Sequence, residues 1–282
     1  MRSDRVRSVL YLPASNARAI EKARTLDCDV AVLDLEDAVA PEAKAAARAA
    51  AVEAVRGGGF GPRLGVRING LDTDWGPDDL AAMKAAGATL VVAPKVETPE
   101  AVHALSAGLG KGCALWAMIE TPRALMTLAD IASADGALDG LMLGVNDLGK
   151  ALGTGALGTG ASADREPFKP WLAMLVAAAR ANGLLAIDGV FNRIDDADGL
   201  AAEAAQGRLY GFDGKSLIHP SQIAAAKAAF SPSDAEIVQA RAVVAAFAQP
   251  EAGNQGAIRV DGAMVERLHL EQAKALLARA QG

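Results

Sequence analysis

Eight short apolar runs, separated by alanine-rich segments of helical character, set the tightest limit on what this chain can fold into. They are VLYLP (9–13), VAVLDLE (30–36), LGVRIN (64–69), TLVVAPKV (89–96), ALWAMIE (114–120), GLMLGV (140–145), LLAIDG (184–189) and LYGFDGKSLI (209–218). Most lack polar/apolar alternation, which is the pattern of parallel strands covered on both faces. The segments between them carry helix signals. Thr98-Pro99 and Thr121-Pro122 place a capping hydroxyl before a proline, Pro41 opens an alanine-rich helix through Val55, and Gly87 closes one that begins near Asp78. Eight strand–helix units with short connections specify an α/β chain closed as a (β/α)8 TIM-type barrel. A doubly wound open sheet is the rival, but no G-x-G-x-x-G follows the first strand.

A barrel of this kind accounts for residues 1–230. Residues 231–282 are surplus: Ser231-Pro232-Ser233-Asp234 leads into a helix, Asp261-Gly262 reads as a turn, and a last helix follows. This extension is expected to pack on a neighbouring subunit. Residues 153–163, GTGALGTGASA, read as a lid or as an ordinary surface loop. The chain is 51% hydrophobic, so a large core is available, and its formal net charge of −6 argues against a nucleic-acid partner. Charges in the first residues and the lack of a long uncharged apolar run argue against a signal peptide or a membrane span, so a cytoplasmic location is expected. Cys28 and Cys113 cannot build a disulfide framework and read as buried small hydrophobes.

In such a barrel the chemistry sits where strands end. Those positions hold Glu36 and Asp37, Arg67 and Asn69, Lys95, Glu120, Asp147, Asp188, Lys215 and His219. Glu120 and Asp147 end successive strands about 5 Å apart. They read either as two hard oxygen ligands for Mg²⁺, with water and substrate completing its shell, or as ordinary capping and ion-pairing groups. Arg67 reads as a carboxylate clamp or as the partner of Glu36 or Asp37, and the two are compatible. Lys95 reads as a structural ion pair in preference to a Schiff-base amine. Arg18 and Lys22 share a helix face that would meet a phosphate or only solvent. Gly144 permits close backbone approach to a ligand or a tight turn.

The stretches RSVLYLPASN, AVLDLEDAVAPEAKAAAR, VRING, APKVETP, AMIETPRAL, LMLGVNDLGKALG, GFDGKSLIHPSQI and DGAMVERLHLEQA, in this order, resemble the citrate lyase β-subunit-like proteins of the HpcH/HpaI aldolase superfamily. The superfamily includes malyl-CoA and citramalyl-CoA lyases. The resemblance implies a Mg²⁺-binding barrel, usually a homotrimer, that cleaves or forms a C–C bond in a β-hydroxyacyl-CoA to give acetyl-CoA and a 2-keto acid. It implies that Arg67 binds the acid's carboxylate and that Glu120 and Asp147 ligate Mg²⁺. It further implies that Tyr11, Arg18 and Lys22 contact CoA, with Ile218 and His219 along the same channel.

One departure stands out. The family pattern resembles D-G-x-M-[IV]-D-x-P, whose second aspartate is an acid/base lent to the adjacent subunit. Here Glu266 takes that place and Leu268 replaces the proline. The carboxylate persists on an arm one methylene longer, and a misplacement of about 1 Å can cost about 100-fold in rate. The main expectation is a carbon–carbon lyase. The alternatives are a malyl-CoA-type thioesterase, an aldolase acting on a free hydroxy-keto acid, and an acyl-carrier-dependent citrate lyase β-like subunit inactive alone.

Overall fold

The structure, a computed structural model, describes residues 6–154, 165–249 and 255–281. Each of the eight apolar runs overlaps a strand. In chain order the first unit, Val6–Ala228, comprises β1 (Ser8–Pro13), α1 (Ala17–Ala23), β2 (Val30–Asp34), α2 (Lys44–Gly57), β3 (Arg63–Arg67), α3 (Gly76–Ala86), β4 (Leu90–Ala93) and α4 (Pro99–Gly108). There follow β5 (Ala114–Ile119), α5 (Pro122–Met126), α6 (Leu128–Ala132), β6 (Leu138–Leu143), α7 (Val145–Leu152), α8 (Lys169–Ala181), β7 (Leu185–Asp188), α9 (Ala197–Tyr210), β8 (Gly214–Leu217) and the start of α10 (Ile223–Phe230). The strands pair in parallel in sequence order and β8 closes on β1, which makes a (β/α)8 barrel.

The helix signals act as their chemistry requires. The Thr98 and Thr121 side chains accept the backbone N–H groups of Ala101 and Ala124, each with a proline at the first helical positions. Asn16 caps α1 in the same way, and Gly87 ends α3 in the left-handed region at φ 79°.

The barrel interior is filled by Val9, Val30, Val32, Leu90, Val92, Trp116, Met118, Met142, Leu185 and Ile187. Within a strand these are alternate residues, because side chains alternate between faces. Two residues beyond Val32, Met118 and Met142 lie Asp34, Glu120 and Gly144, so the inward face becomes polar at the C-terminal rim. Gly140 makes room for Trp116, since a Cβ there would lie 3.0 Å from its ring. Cys28 and Cys113 are buried, and desolvation pushes both thiols up to about 11.

The second unit includes Ala229–Gly282. Its helix α11 (Asp234–Phe247) opens with a reciprocal capping box between Ser233 and Glu236. A hairpin, β9 (Ala257–Val260) and β10 (Ala263–Glu266), turns through Asp261 and Gly262, both at positive φ, and α12 (Arg267–Gln281) follows. Ala240, Val243, Phe247, Val260, Val265 and Ala273 form its core. Most of the glycine-rich segment read as a lid or loop, residues 155–163, lies outside the described residues. Among the described residues, no helix is long and apolar enough to cross a membrane.

Barrel closure depends on Gly214, where a Cβ would stand 2.0 Å from the Val6 carbonyl oxygen across the β8–β1 seam. Gly214→Ala is expected to destabilise the protein by about 1–3 kcal/mol, as overpacking does, read as a lower urea midpoint. An unchanged midpoint would mean that the seam yields freely.

Candidate active site

Strand register creates the first element of the site. β2 and β3 place Asp34 beside Arg67, and both end their strands facing the rim. Arg67 donates from Nε to Asp34 Oδ1 and from Nη2 to Oδ2, each at 2.6 Å. Its Nη1 lies 2.9 Å from Glu36 Oε2 and 3.6 Å from Asp37 Oδ2, and its guanidinium carbon sits 5.0 Å from the centre of the Tyr11 ring. The Glu36 contact is an ion pair without hydrogen-bond geometry, which leaves that buried oxygen with no hydrogen bond. Burial opposes the arginine's charge, but hydrogen bonds and charge from Asp34 more than offset it, and the pKa rises. The internal salt bridge read from sequence is therefore present, with Asp34, which was not singled out there, as its tightest member.

Above this pair lies a cavity of about 370 Å³ whose lining includes Tyr11, Asp34, Asp37, Arg67, Glu120, Gly144, Asp147 and Ile218. Glu120 is 2% exposed. Desolvation first, and then the charge of Glu36, pushes its carboxyl up to about 7. Gly144 is needed for space, because a Cβ there would come within 2.3 Å of Glu120 Oε2. Asp147 sits in the first turn of α7. Tyr11 lies deep, its hydroxyl 3.7 Å from the sulfurs of Met118 and Met142.

Lys95 ties these carboxylates together. It is a non-glycine residue at φ 50°, its backbone N–H donates to Glu120 Oε1 at 2.9 Å, and its ammonium lies 2.6 Å from Glu36 Oε1 and 3.7 Å from Asp147 Oδ2. Desolvation lowers its pKa, but the hydrogen bond and charge of Glu36 raise it further, so the amine stays protonated. That favours the ion-pair reading over a Schiff base, which needs a neutral amine.

Divalent metal fits this rim by charge and donor chemistry. Asp34, Glu36, Asp37, Glu120 and Asp147 converge on Arg67 and Lys95, and among the described residues no cationic side chain is bonded to the buried Glu120. Among the described residues there is no group of three His, Cys, Asp or Glu at metal-ligating spacing. The pair Glu120 and Asp147 thus offers two hard oxygens, with other positions left to water and substrate, an arrangement Mg²⁺ accepts.

The remaining candidates stand elsewhere. Arg18 and Lys22 occupy the exposed face of α1. His219 is exposed, and its Nδ1 accepts the Ser221 N–H as the cap of a short 3-10 turn. Asn69 is buried and bonded to Asp79 and the Leu35 carbonyl. Asp188 and Lys215 are buried in a paired network with Arg165 and Glu203. Glu266 is exposed on the hairpin of the second unit, where its N–H donates to His269 Nδ1.

Comparison with known proteins identifies the family. The HpcH/HpaI aldolase/citrate lyase family model matches residues 7–220. A (3S)-malyl-CoA thioesterase of Cereibacter sphaeroides (strain KD131 / KCTC 12085) is 45% identical over 276 residues, covering 98% of this chain and 94% of the relative. An L-malyl-CoA/beta-methylmalyl-CoA lyase of the same species (strain ATCC 17029 / ATH 2.4.9) is 33% identical at the same coverage. The crystal structure of CitE from Mycobacterium tuberculosis in complex with magnesium, acetoacetate and coenzyme A superposes with a TM-score of 0.84, at 33% identity and full coverage of both chains. These findings correct the expected activity. The chain is more similar to the thioesterase than to the lyase, so the carbon–carbon lyase reading gives way to its thioesterase alternative.

The raised Glu120 pKa has a stability consequence in the metal-free protein. The unfolded chain releases this proton at the ordinary carboxylate pH, and the fold retains it to about 7. Stability therefore falls as pH rises between those values, by about 3 kcal/mol at most. Glu120→Gln, which cannot ionise, should match wild type at pH 4.5 and melt higher at pH 8. Parallel Tm curves across this range would show that Glu120 is ionised throughout.

Proposed function

The chain belongs to the HpcH/HpaI aldolase/citrate lyase family and is an enzyme of it, and within that family we propose that it hydrolyses a malyl-CoA-type thioester to the free hydroxy acid and coenzyme A. The observation that carries this reading is the 45% identity to a (3S)-malyl-CoA thioesterase along nearly the whole chain. The cavity chemistry supports it. Arg67, held along its Nε–Nη2 edge by Asp34, lines the cavity, and the acid's terminal carboxylate would meet it there by displacing the Nη1 contacts with Glu36 and Asp37. Glu120 and Asp147 would hold Mg²⁺, which supplies Lewis-acid stabilisation of oxygen charge when bound. Such an ion is also present in the CitE structure.

In the proposed reaction a water oxygen bonds to the thioester carbonyl carbon, the C–S bond breaks, and the departing sulfur takes up the proton that water loses. Glu266 is the proposed carrier of that proton, lent by the extension of a neighbouring copy in a homotrimer. Ile218, at the cavity edge, and His219 would lie along the pantetheine arm, with Arg18 and Lys22 meeting the nucleotide phosphates. The CoA of the CitE complex supports a thioester substrate.

The test is product analysis with (3S)-malyl-CoA and Mg²⁺. Free thiol and malate should appear in equal amounts, whereas acetyl-CoA with glyoxylate would refute hydrolysis. Arg67→Lys, which loses the planar fork, should lower kcat/KM by about 100-fold. Asp147→Asn and Glu266→Gln should each be nearly inactive alone and regain activity when co-expressed. Failure to complement would place Glu266 outside a shared site.

A further inference from the structure

We infer that Lys95 is the resident counter-charge of the rim, occupying the electrostatic position of the divalent cation and setting that ion's affinity. The inference rests on the reading above in which Glu120 and Asp147 hold the ion.

A lysine needed merely to neutralise Glu36 could do so from an ordinary extended backbone. Lys95 instead adopts φ 50°, a conformation that side chains other than glycine's disfavour. That backbone aims two groups at the rim together. The N–H fixes Glu120 Oε1 at 2.9 Å, and the ammonium lies between Glu36 Oε1 at 2.6 Å and Asp147 Oδ2 at 3.7 Å. One residue thus touches carboxylates that follow β2, β5 and β6. Both candidate ligands are among them.

The ammonium side chain is 44% exposed, so it has room to withdraw from Asp147 while keeping Glu36. A metal held by Asp147 would meet a positive charge near one of its ligands, and the two cations compete for the same carboxylate. With no metal the ammonium limits repulsion among the acids; with metal it yields Asp147. Affinity for the ion is then lower than the carboxylates alone would give.

The test is titration calorimetry of the full chain with Mg²⁺ alone, without substrate. Lys95→Met should lower the Mg²⁺ Kd by about tenfold, and Lys95→Arg should leave it within about threefold of wild type. Lys95→Gly, which relieves the positive φ while removing the ammonium, should also bind more tightly. Lys95→Met combined with Glu36→Gln removes one charge of each sign and should return Kd toward wild type. Thermal shift gives an independent readout, since Mg²⁺ should raise Tm more in Lys95→Met than in wild type. Unchanged or weaker binding in both Lys95→Met and Lys95→Gly, with wild type binding normally, would overturn the inference alone. Absence of Mg²⁺ binding in wild type would overturn the metal-site reading together with it.

Discussion

An excess of carboxylates over cations at one end of the barrel is the constraint on which the candidate site turns. Asp34, Glu36, Asp37, Glu120 and Asp147 gather at one end of the barrel around Arg67 and Lys95. Buried acids without sufficient positive charge hold their protons or attract a cation. The protein uses both routes, with Glu120 raised to about 7 and Lys95 bent into an unfavourable backbone conformation to reach three acids. In the proposed function the same imbalance is what a divalent ion would relieve.

Strand periodicity produces this concentration of charge. The barrel interior is filled by apolar residues from Val9 to Ile187, and β2 and β5 carry the same inward face on to acids at the rim. The period of two that buries Val32 and Met118 delivers Asp34 and Glu120 to the rim. Gly144 serves the same end, since any larger residue would occupy the space of the Glu120 carboxylate. Core packing and site chemistry are thus consecutive stretches of the same strands.

The fold was legible because each of its signals is local. Eight apolar runs, threonine caps before prolines and a left-handed Gly87 name their elements without reference to the rest of the chain. Arg67 and Glu120 were legible from their place at strand ends. Asp147 was legible from following the sixth apolar run, although it stands in the first turn of α7 and not at the strand's end. All three line one cavity. What sequence could not supply was pairing across strands. Asp34 holds Arg67 because β2 and β3 align in one particular register, and a charged pair at the ends of adjacent apolar runs was the available signal. Lys95 shows its role through a backbone angle that no composition reveals. Activity was the least legible, since the same arginine and acids suit a carbon–carbon lyase and a thioesterase alike. Which bond breaks depends on where water stands, and motif spacing does not record that.

The claim that surplus negative charge at the rim exists to hold a divalent ion is tested most directly by anomalous diffraction from crystals soaked in Mn²⁺. A peak bonded to Glu120 and Asp147 is expected, with the Lys95 ammonium withdrawn from Asp147 and still paired with Glu36. A fully occupied peak elsewhere, or none at a saturating concentration, would contradict it.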